Sequence, residues 1–542
     1  MLKVLSVKFW LLCLILNWLL ISGAITSVKA QSANRPEYLP DEVLVKFKDG
    51  VPQDTVDTII AGAGGAVVKK FRLIPALRLK IPAGTVESAI SLLKRFPEIE
   101  YAEPNYLRYL NAIPNDPDYP EMWGLNNTGQ TGGTLDADID APEAWDIATG
   151  NSSMVVADID TGLDLGHVDF AGNIYINPGE IAGNGIDDDA NGYIDDVNGW
   201  DFARDDNNPN EEAICGGHGT HTAGTIGARG NNGIGVTGVN WNVKIMPLKI
   251  FKVYFVILCS ASSADIISAI DYAAMMGVRV SNNSYGGGPY SQAEYDAIRA
   301  SKSIFVAAAG NENINTDITP NYPSAYNLSN IIAVAATDHN DNRAWFSNYG
   351  TTTVDLAAPG VSILSTTPND TYSLFDGTSM ATPHVTGAVA LLMGYDPNLT
   401  NNEVRWRILK GVDHKGLPVA TGGRLNIYNS LTLPPPQVTV DVTPNGPTTI
   451  PGGGTISYHI VFHNNSQYNA TVNVSVVAVL PNGSEIVLNR GTVTILGNGS
   501  FSRDFSRSLP FNIAPGEYQI VGRAEIASTS YDESIVVYTI TP

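Results

Sequence analysis

Apolar runs alternate with segments of helical period through the middle of the chain. Residues 154–159, 243–249, 278–282, 304–308 and 331–335 read as buried strands, and helical spacing falls near 264–276, 291–301 and 382–393. This alternation predicts an α/β fold, a mainly parallel sheet with helices on both faces. Residues 37–111 show a different pattern. Alternating runs at 42–47 and 77–81, a short strand near 67–71 and an extended run at 99–109 are interleaved with amphipathic stretches at 55–61 and 85–96. The order is β-α-β-β-α-β, a ferredoxin-like α+β unit. Beyond a stiff Pro434-Pro435-Pro436 linker the helical period disappears, and residues 437–542 carry short Val/Ile/Thr/Tyr-rich runs between turn residues. An all-β, immunoglobulin-like sandwich is expected there.

The first thirty residues lie outside this scheme. Lys3 and Lys8 precede an apolar stretch near 9–21, and Val28-Lys29-Ala30 places small or aliphatic residues at −3 and −1. This reads as a secretory signal peptide cut after Ala30, with an uncleaved anchor as the alternative. The expected layout is 1–30 signal, 31–111 leading unit, 112–433 α/β domain, 434–436 linker and 437–542 β-sandwich. At 542 residues the chain is too long for one ordinary domain. Its net charge of −22 argues against nucleic acid and anionic membrane as partners of the mature form. Of three cysteines, Cys13 leaves with the signal, and Cys215 and Cys259 remain as a pair or as two free thiols.

Three short blocks carry chemistry. Asp158-Ile159-Asp160-Thr161-Gly162 ends a strand, His218-Gly219-Thr220-His221 opens a small-residue helix, and Gly377-Thr378-Ser379-Met380-Ala381-Thr382-Pro383-His384 opens another. An acid, an imidazole and a hydroxyl on separate elements are what acyl transfer from an amide requires. These blocks, in the order Asp, His, Ser, resemble the signatures of the subtilisin-like serine peptidases, the subtilases. The resemblance spans about residues 40–430 and implies a secreted endopeptidase acting through an acyl-enzyme. It implies Ser379 as nucleophile, His218 as base and later acid, and Asp160 as the group that orients the imidazole. His221 and His384 are then packed residues, and Asp158 a neighbour of the working acid.

The same resemblance assigns Asn311, in Ala308-Ala309-Gly310-Asn311, to the oxyanion. It places Ser284, Tyr285 and Gly286 along the substrate backbone, Ala309 and Gly310 in a pocket wall, and Asn321 at the pocket floor. No buried acid of trypsin type is evident, so broad specificity is expected, with a preference for uncharged or aromatic residues. Residues 31–111, ending in Tyr101-Ala102-Glu103-Pro104-Asn105-Tyr106, resemble the subtilase propeptide, which assists folding and inhibits the enzyme. Self-cleavage is implied within 107–113. Some subtilases bridge the regions of Cys215 and Cys259, so the resemblance implies a disulfide between them. Partners are then protein or peptide substrates and the chain's own propeptide, and a monomer is expected.

Calcium is the expected cofactor. Asp187-x-Asp189-x-Asn191-Gly192-Tyr193 offers hard oxygens at alternate positions with a Gly at the turn. Asp195 or Asp196 closes the shell, Asp196 being favoured; a solvated acidic loop with Asx-turns is the alternative. A second site is implied by resemblance alone: Asp116, Asp169 and Asn232, with the carbonyls of Ile234 and Val236. Residues 251–261 depart from the family pattern by being apolar, and either contact substrate or pack inward. The rival to a peptidase is a secreted binding or adhesion protein on a silent peptidase scaffold, against which the intact Asp160, His218 and Ser379 count.

Overall fold

A computed structural model describes residues 38–106, 112–211, 215–254, 258–433, 437–466, 468–481, 484–526 and 530–542. The signal region, most of the expected maturation segment, the triproline linker and residues 255–257 lie outside these. The chain divides into two compact units, Met1–Leu110 and Asn111–Pro542.

In the first unit, β1 (Tyr38–Phe47), β2 (Ala66–Lys70), β3 (Ala76–Lys80) and β4 (Ile99–Tyr106) form one antiparallel sheet in the order β2-β3-β1-β4. Two helices, Gln53–Gly62 and Val86–Leu93, supply Val56, Ile59, Ile60, Val86, Ala89, Ile90 and Leu93 to a core shared with Val43, Val45 and Leu79. Alternation along β1 puts Val43, Val45 and Phe47 on the buried face, which sets the register. This is the β-α-β-β-α-β unit read from the sequence.

In the second unit the strands are β5 (Gly150–Asp160), β6 (Trp200–Asp201), β7 (Asn242–Lys249), β8 (Phe251–Tyr254), β9 (Leu258–Ala261), β10 (Val280–Asn283), β11 (Ile304–Ala308), β12 (Ile331–Thr337), β13 (Leu356–Pro359), β14 (Ile363–Thr367), β15 (Thr371–Phe375), β16 (Asp413–His414) and β17 (Gly423–Arg424). Nine of them make one sheet, ordered β16-β17-β13-β12-β11-β10-β5-β7-β6 and parallel except for the β16–β17 pair. The central strands β10, β11 and β12 are buried along their whole length. They have no solvent-exposed face because helices cover both sides of the sheet, and the polar Ser281, Asn282 and Asn283 of β10 are buried with the rest. The helix Thr378–Tyr395 is small and apolar around most of its circumference and packs beneath β5 and β10–β13. Its first turn is tied to the strand ends: Gly377 N–H donates to Gly360 O at 2.8 Å and Gly310 N–H to Thr378 Oγ1 at 3.1 Å. Asp160, Ser284 and Ala309 end or follow β5, β10 and β11, so the motif residues collect at the carboxyl ends of neighbouring parallel strands.

Within the 251–261 segment, expected as a loop, the described residues 251–254 and 258–261 pair as the antiparallel strands β8 and β9. Phe251 packs inward, 6.4 Å from the Tyr285 ring, and Cys259 is joined to Cys215 with Cα atoms 5.6 Å apart. The bridge ties this strand pair to the segment that leads into the His218 helix. Residues 438–541 form sheets of three and five strands enclosing Val440, Tyr458, Ile460, Phe462, Val472, Ile520 and Tyr538. Glu517 of this β-sandwich pairs with Arg299 on the helix Gln292–Ser301.

Candidate active site and acidic loops

Asp160, the last residue of β5, is 1% exposed, and its Oδ1 lies 2.7 Å from His218 Nδ1. Its Oδ1 also accepts the Thr161 N–H at 2.7 Å. His218 opens the helix His218–Gly227, with 29% of its side chain exposed. Burial alone would lower its pKa. The Asp160 charge and hydrogen bond, helped by Glu211 and Asp158, overcome this and lift it to about 9. With Nδ1 held by Asp160, Nε2 is the nitrogen left for a reacting group.

Asp158, two residues earlier, is fully buried and has other partners. It accepts from Asn282 Nδ2 at 2.9 Å and from Thr222 Oγ1 at 3.1 Å. Burial and then the Asp160 charge push its carboxyl well above the usual range. His221 is buried, bonded through Nε2 to the carbonyls of Ile363 and Ser373 and stacked on Phe375 at 4.3 Å. Burial takes its pKa down to about 3 and that of His384 to about 4. Both are packed, neutral residues.

Ser379 occupies the second position of its helix. Pro383 has no N–H and cannot bond to the carbonyl four residues back, so Ser379 O takes the Ser284 hydroxyl instead, at 2.9 Å. The Ser379 hydroxyl donates in return to Ser284 O at 3.0 Å. Its single proton is therefore engaged by the β10 extension. Catalytic hydrogen bonds often tighten only when substrate arrives.

The Asn311 side chain is oriented by its oxygen. Oδ1 accepts from Thr378 N–H at 2.9 Å and Thr378 Oγ1 at 3.0 Å, which leaves Nδ2 as a donor beside the helix start. The Ser379 N–H is among the first amides of that helix, which have no partner within it. Two donors thus converge on one region, as stabilisation of an oxyanion demands.

The substrate-side residues also come together. Asn321 Nδ2 and Asn348 Nδ2 each donate to Ala309 O at 2.8 Å. Gly310, at φ +101°, is the one residue type that fits: a Cβ there would lie 2.2 Å from Asn321 Nδ2 and 2.4 Å from Asn348 Nδ2. A Cβ on Gly286 would stand 3.4 Å from Asn321 Nδ2, so this glycine faces the same wall. Tyr285 points the other way, its ring against Phe251 and its hydroxyl donating to Asn283 Oδ1 at 3.1 Å. It therefore offers backbone rather than a ring to this wall.

In the acidic loop, Glu180, Asp187 and Asp189 bring one oxygen each within 4.8 Å of one another. Asp196, expected to close the shell, is instead fully buried and engaged. It accepts from Asn177 Nδ2 at 2.8 Å, Asn191 Nδ2 at 2.9 Å and the Tyr272 hydroxyl. Asp195 accepts backbone N–H groups of Gly183, Asn184 and Gly185. The third clustered carboxylate is thus Glu180, which lies outside the motif and gave no signal in the sequence. Asn191 Oδ1 accepts the Tyr193 N–H at 2.8 Å, and the Tyr193 ring is set among Trp200, Phe202 and Tyr272, which anchors the loop to the core. Three clustered carboxylates with neighbouring amide and carbonyl oxygens are a hard, all-oxygen donor set, which suits calcium.

At the second location, Asp116 accepts from Asn231 N–H at 2.7 Å and Asn232 N–H at 3.0 Å. Asp169 accepts from Asn232 Nδ2 at 2.8 Å and Val236 N–H at 3.0 Å, and Ile234 N–H donates to Asn232 Oδ1 at 2.7 Å. All five expected residues therefore meet. Burial raises the Asp169 pKa to about 6, an environment in which a bound cation would compensate the charge.

Residues 151–427 match the model of the subtilase family, and residues 25–105 match the fervidolysin N-terminal prodomain. The chain is 33% identical to the thermophilic serine proteinase of Bacillus sp. (strain AK1), over 74% of this chain and 90% of that protein. It is 38% identical to thermitase of Thermoactinomyces vulgaris, over 48% of this chain and 82% of thermitase. With subtilisin E of Bacillus subtilis (strain 168) it shares 31% identity over 74% of this chain and 93% of that protein. The chain belongs to the subtilase family of serine peptidases and carries a prodomain ahead of its peptidase domain.

Proposed function

We propose that Asp160, His218, Ser379 and Asn311 carry the peptidase reaction, with substrate held by Ser284, Tyr285 and Gly286 along its backbone and by Ala309, Gly310 and Asn321 around the side chain before the cut bond. The observation that carries this reading is the 2.7 Å contact between buried Asp160 and His218 Nδ1, with Nε2 left free. His218 Nε2 takes the Ser379 proton as Oγ attacks the peptide carbonyl. Asp160 stabilises the imidazolium that forms, and the Ser379 N–H and Asn311 Nδ2 hold the oxyanion. The imidazolium then protonates the leaving amine, and water releases the acyl group by the same steps. Glycines at 286 and 287 leave the peptide room to lie as an added strand. Asn311→Leu keeps size and removes the donor. It is expected to lower kcat by about 10²–10³ at near-constant KM in assays of a chromogenic peptide. An unchanged kcat would remove Asn311 from the site.

Residues 31–111 are, in this reading, a propeptide that assists folding, inhibits the enzyme and is removed by the enzyme itself within 107–113. Residues 1–30 are a signal peptide, residues 437–542 an immunoglobulin-like stabilising or spacing module, and the mature enzyme is a secreted monomer. No helix among the described residues is long and apolar enough to cross a membrane. A relative of Dichelobacter nodosus is described as an extracellular basic protease. Wild type and Ser379→Ala, expressed as full chains and followed on a denaturing gel, test the zymogen reading. Wild type is expected to shed its N-terminal unit and the variant to keep it; shedding by both would refute self-processing.

Calcium would be held by Glu180, Asp187, Asp189, Asn191 and the Tyr193 carbonyl, and by the Asp116, Asp169, Asn232, Ile234 and Val236 set. When bound it supplies charge compensation that stiffens two surface loops; no chemical step passes through it. At a free concentration of about 100 times its Kd, one such ion adds about 2.7 kcal/mol. That is on the order of 5 °C in a domain this large. Calorimetry with calcium or with a chelator is expected to show this shift, and Glu180→Ala to reduce it. Equal melting temperatures in both buffers would refute the calcium reading.

A further inference from the structure

The helix that carries His218 begins without a cap of its own. Its N-cap is Gly217, in the left-handed region at φ +78°, which has no side chain to accept the first free amides. Those amides are nevertheless met from across the site. Gly219 N–H donates to Thr161 Oγ1 at 2.7 Å, and Thr220 N–H donates to Glu211 Oε2 at 2.8 Å. Glu211 Oε2 also accepts the Thr220 hydroxyl, and Glu211 Oε1 accepts the Thr161 hydroxyl. Thr220 Oγ1 accepts Asp164 N–H at 2.9 Å.

The Glu211 backbone is fixed as well. Leu163 N–H donates to Pro209 O at 3.1 Å and Glu211 N–H to Leu163 O at 3.0 Å, so the segment pairs with the turn that follows Asp160. Glu211 is 8% exposed, and burial raises its pKa, but these partners are all donors and oppose that shift by favouring the ionised form. The threonines of the D-T-G and H-G-T-H motifs are thus two ends of one clamp, with Glu211 as its centre.

We propose that Glu211 is a positioning residue for the peptidase reaction: it caps the His218 helix from outside, locks that helix to the residue after Asp160, and so holds His218 at its working distance from Asp160. This rests on the assignment of Asp160, His218 and Ser379 made above. A neutral residue of the same size keeps the packing and loses both the strong acceptor and the nearby negative charge. Charged hydrogen bonds of this kind are worth about a factor of 10 to 100, and small misplacements of reacting groups cost similar factors.

The groups facing the His218 imidazole are Asp160 and Asp158 on β5, Glu211 on the preceding segment and the neutral His221 on its own helix. Loss of one negative charge makes the imidazolium less stable, so the imidazole deprotonates at lower pH.

The test compares wild type, Glu211→Gln, Thr220→Val and Ser379→Ala as full chains, with rates on a chromogenic peptide normalised by active-site titration for the first three and by protein concentration for Ser379→Ala. Glu211→Gln is expected to lower kcat about 10- to 100-fold with KM within about twofold. Its acidic limb of kcat/KM is expected to move to lower pH. A purely structural role would lower the titratable fraction of enzyme and leave both the normalised kcat and the limb in place; that result overturns the proposal. If Glu211→Gln does not fold, Thr220→Val reads the same clamp from its other side. A drop in normalised kcat at constant KM supports the proposal, and an unchanged kcat overturns it. Full activity in Ser379→Ala would instead overturn the underlying assignment of the catalytic set, a failure distinct from that of Glu211.

Discussion

Ser379→Ala is expected to lower kcat on a peptide substrate by about 10⁶, the size of loss known for the nucleophile of subtilisin, while KM changes little. The expectation follows from the construction of the site. The Ser379 side chain stands at the start of a buried helix, where Gly377, Thr378 and the freed carbonyl opposite Pro383 fix the backbone through bonds to Gly360, Asn311 and Ser284. Alanine disturbs none of these, since they are made by Gly377, by Thr378 and by the main-chain carbonyl of residue 379. It removes only Oγ and its bond to Ser284 O. Freed of its N-terminal unit, the variant should therefore keep its fold, its melting temperature and its peptide binding while turnover vanishes. Retained turnover would mean that another residue, or water, performs the attack.

Asp160→Asn is expected to cost about 10⁴ in kcat, the size seen for the same change in other Asp-His-Ser peptidases. The amide can present its N–H₂ to Nδ1 and trap the wrong tautomer, which leaves Nε2 protonated and unable to receive the Ser379 proton. The pH profile separates this from simple unfolding. In the wild type, burial lowers the His218 pKa, but Asp160 and then Glu211 and Asp158 raise it to about 9. Only the neutral imidazole accepts a proton, so kcat/KM rises as pH climbs through that value. In Asp160→Asn the largest raising influence is gone and burial remains, so the acidic limb moves to lower pH even as the plateau falls. A lowered plateau with an unmoved limb would contradict the role given to Asp160.

The parts of this site that were legible in the sequence are those whose chemistry is local. Three motif blocks carry their own backbone logic: a turn after Asp160, a small-residue helix start at His218, and a glycine and proline flanking Ser379. The alternation of apolar runs was likewise enough for the sheet, since strands covered on both faces are mostly apolar, the hydrogen-bonded Asn282 and Asn283 of β10 being the exception. The N-terminal unit was readable because its two helices and the strands at 42–47 and 77–81 show a clear period, while β2, exposed along its length, shows none.

What escaped is what depends on contacts between distant segments. Glu180 joins Asp187 and Asp189 only because the acidic loop folds back on itself, and Asp196 leaves that cluster because Asn177, Asn191 and Tyr272 claim its oxygens. Glu211 stands seven residues before His218 in no motif, yet it meets both motif threonines. The apolar 251–261 segment was ambiguous for the same reason. Phe251 packs inward against Tyr285, just beyond β10, and Cys259 is held by its bridge to Cys215.

The most direct measurement is covalent labelling of the mature enzyme with a fluorophosphonate, followed by mass spectrometry of the digested chain, in wild type and in His218→Ala. The account predicts one label per chain, on the peptide containing Ser379, lost on denaturation and strongly slowed in His218→Ala. A folded, proteolytically active chain that takes no label at Ser379, or takes it at another residue, would contradict it.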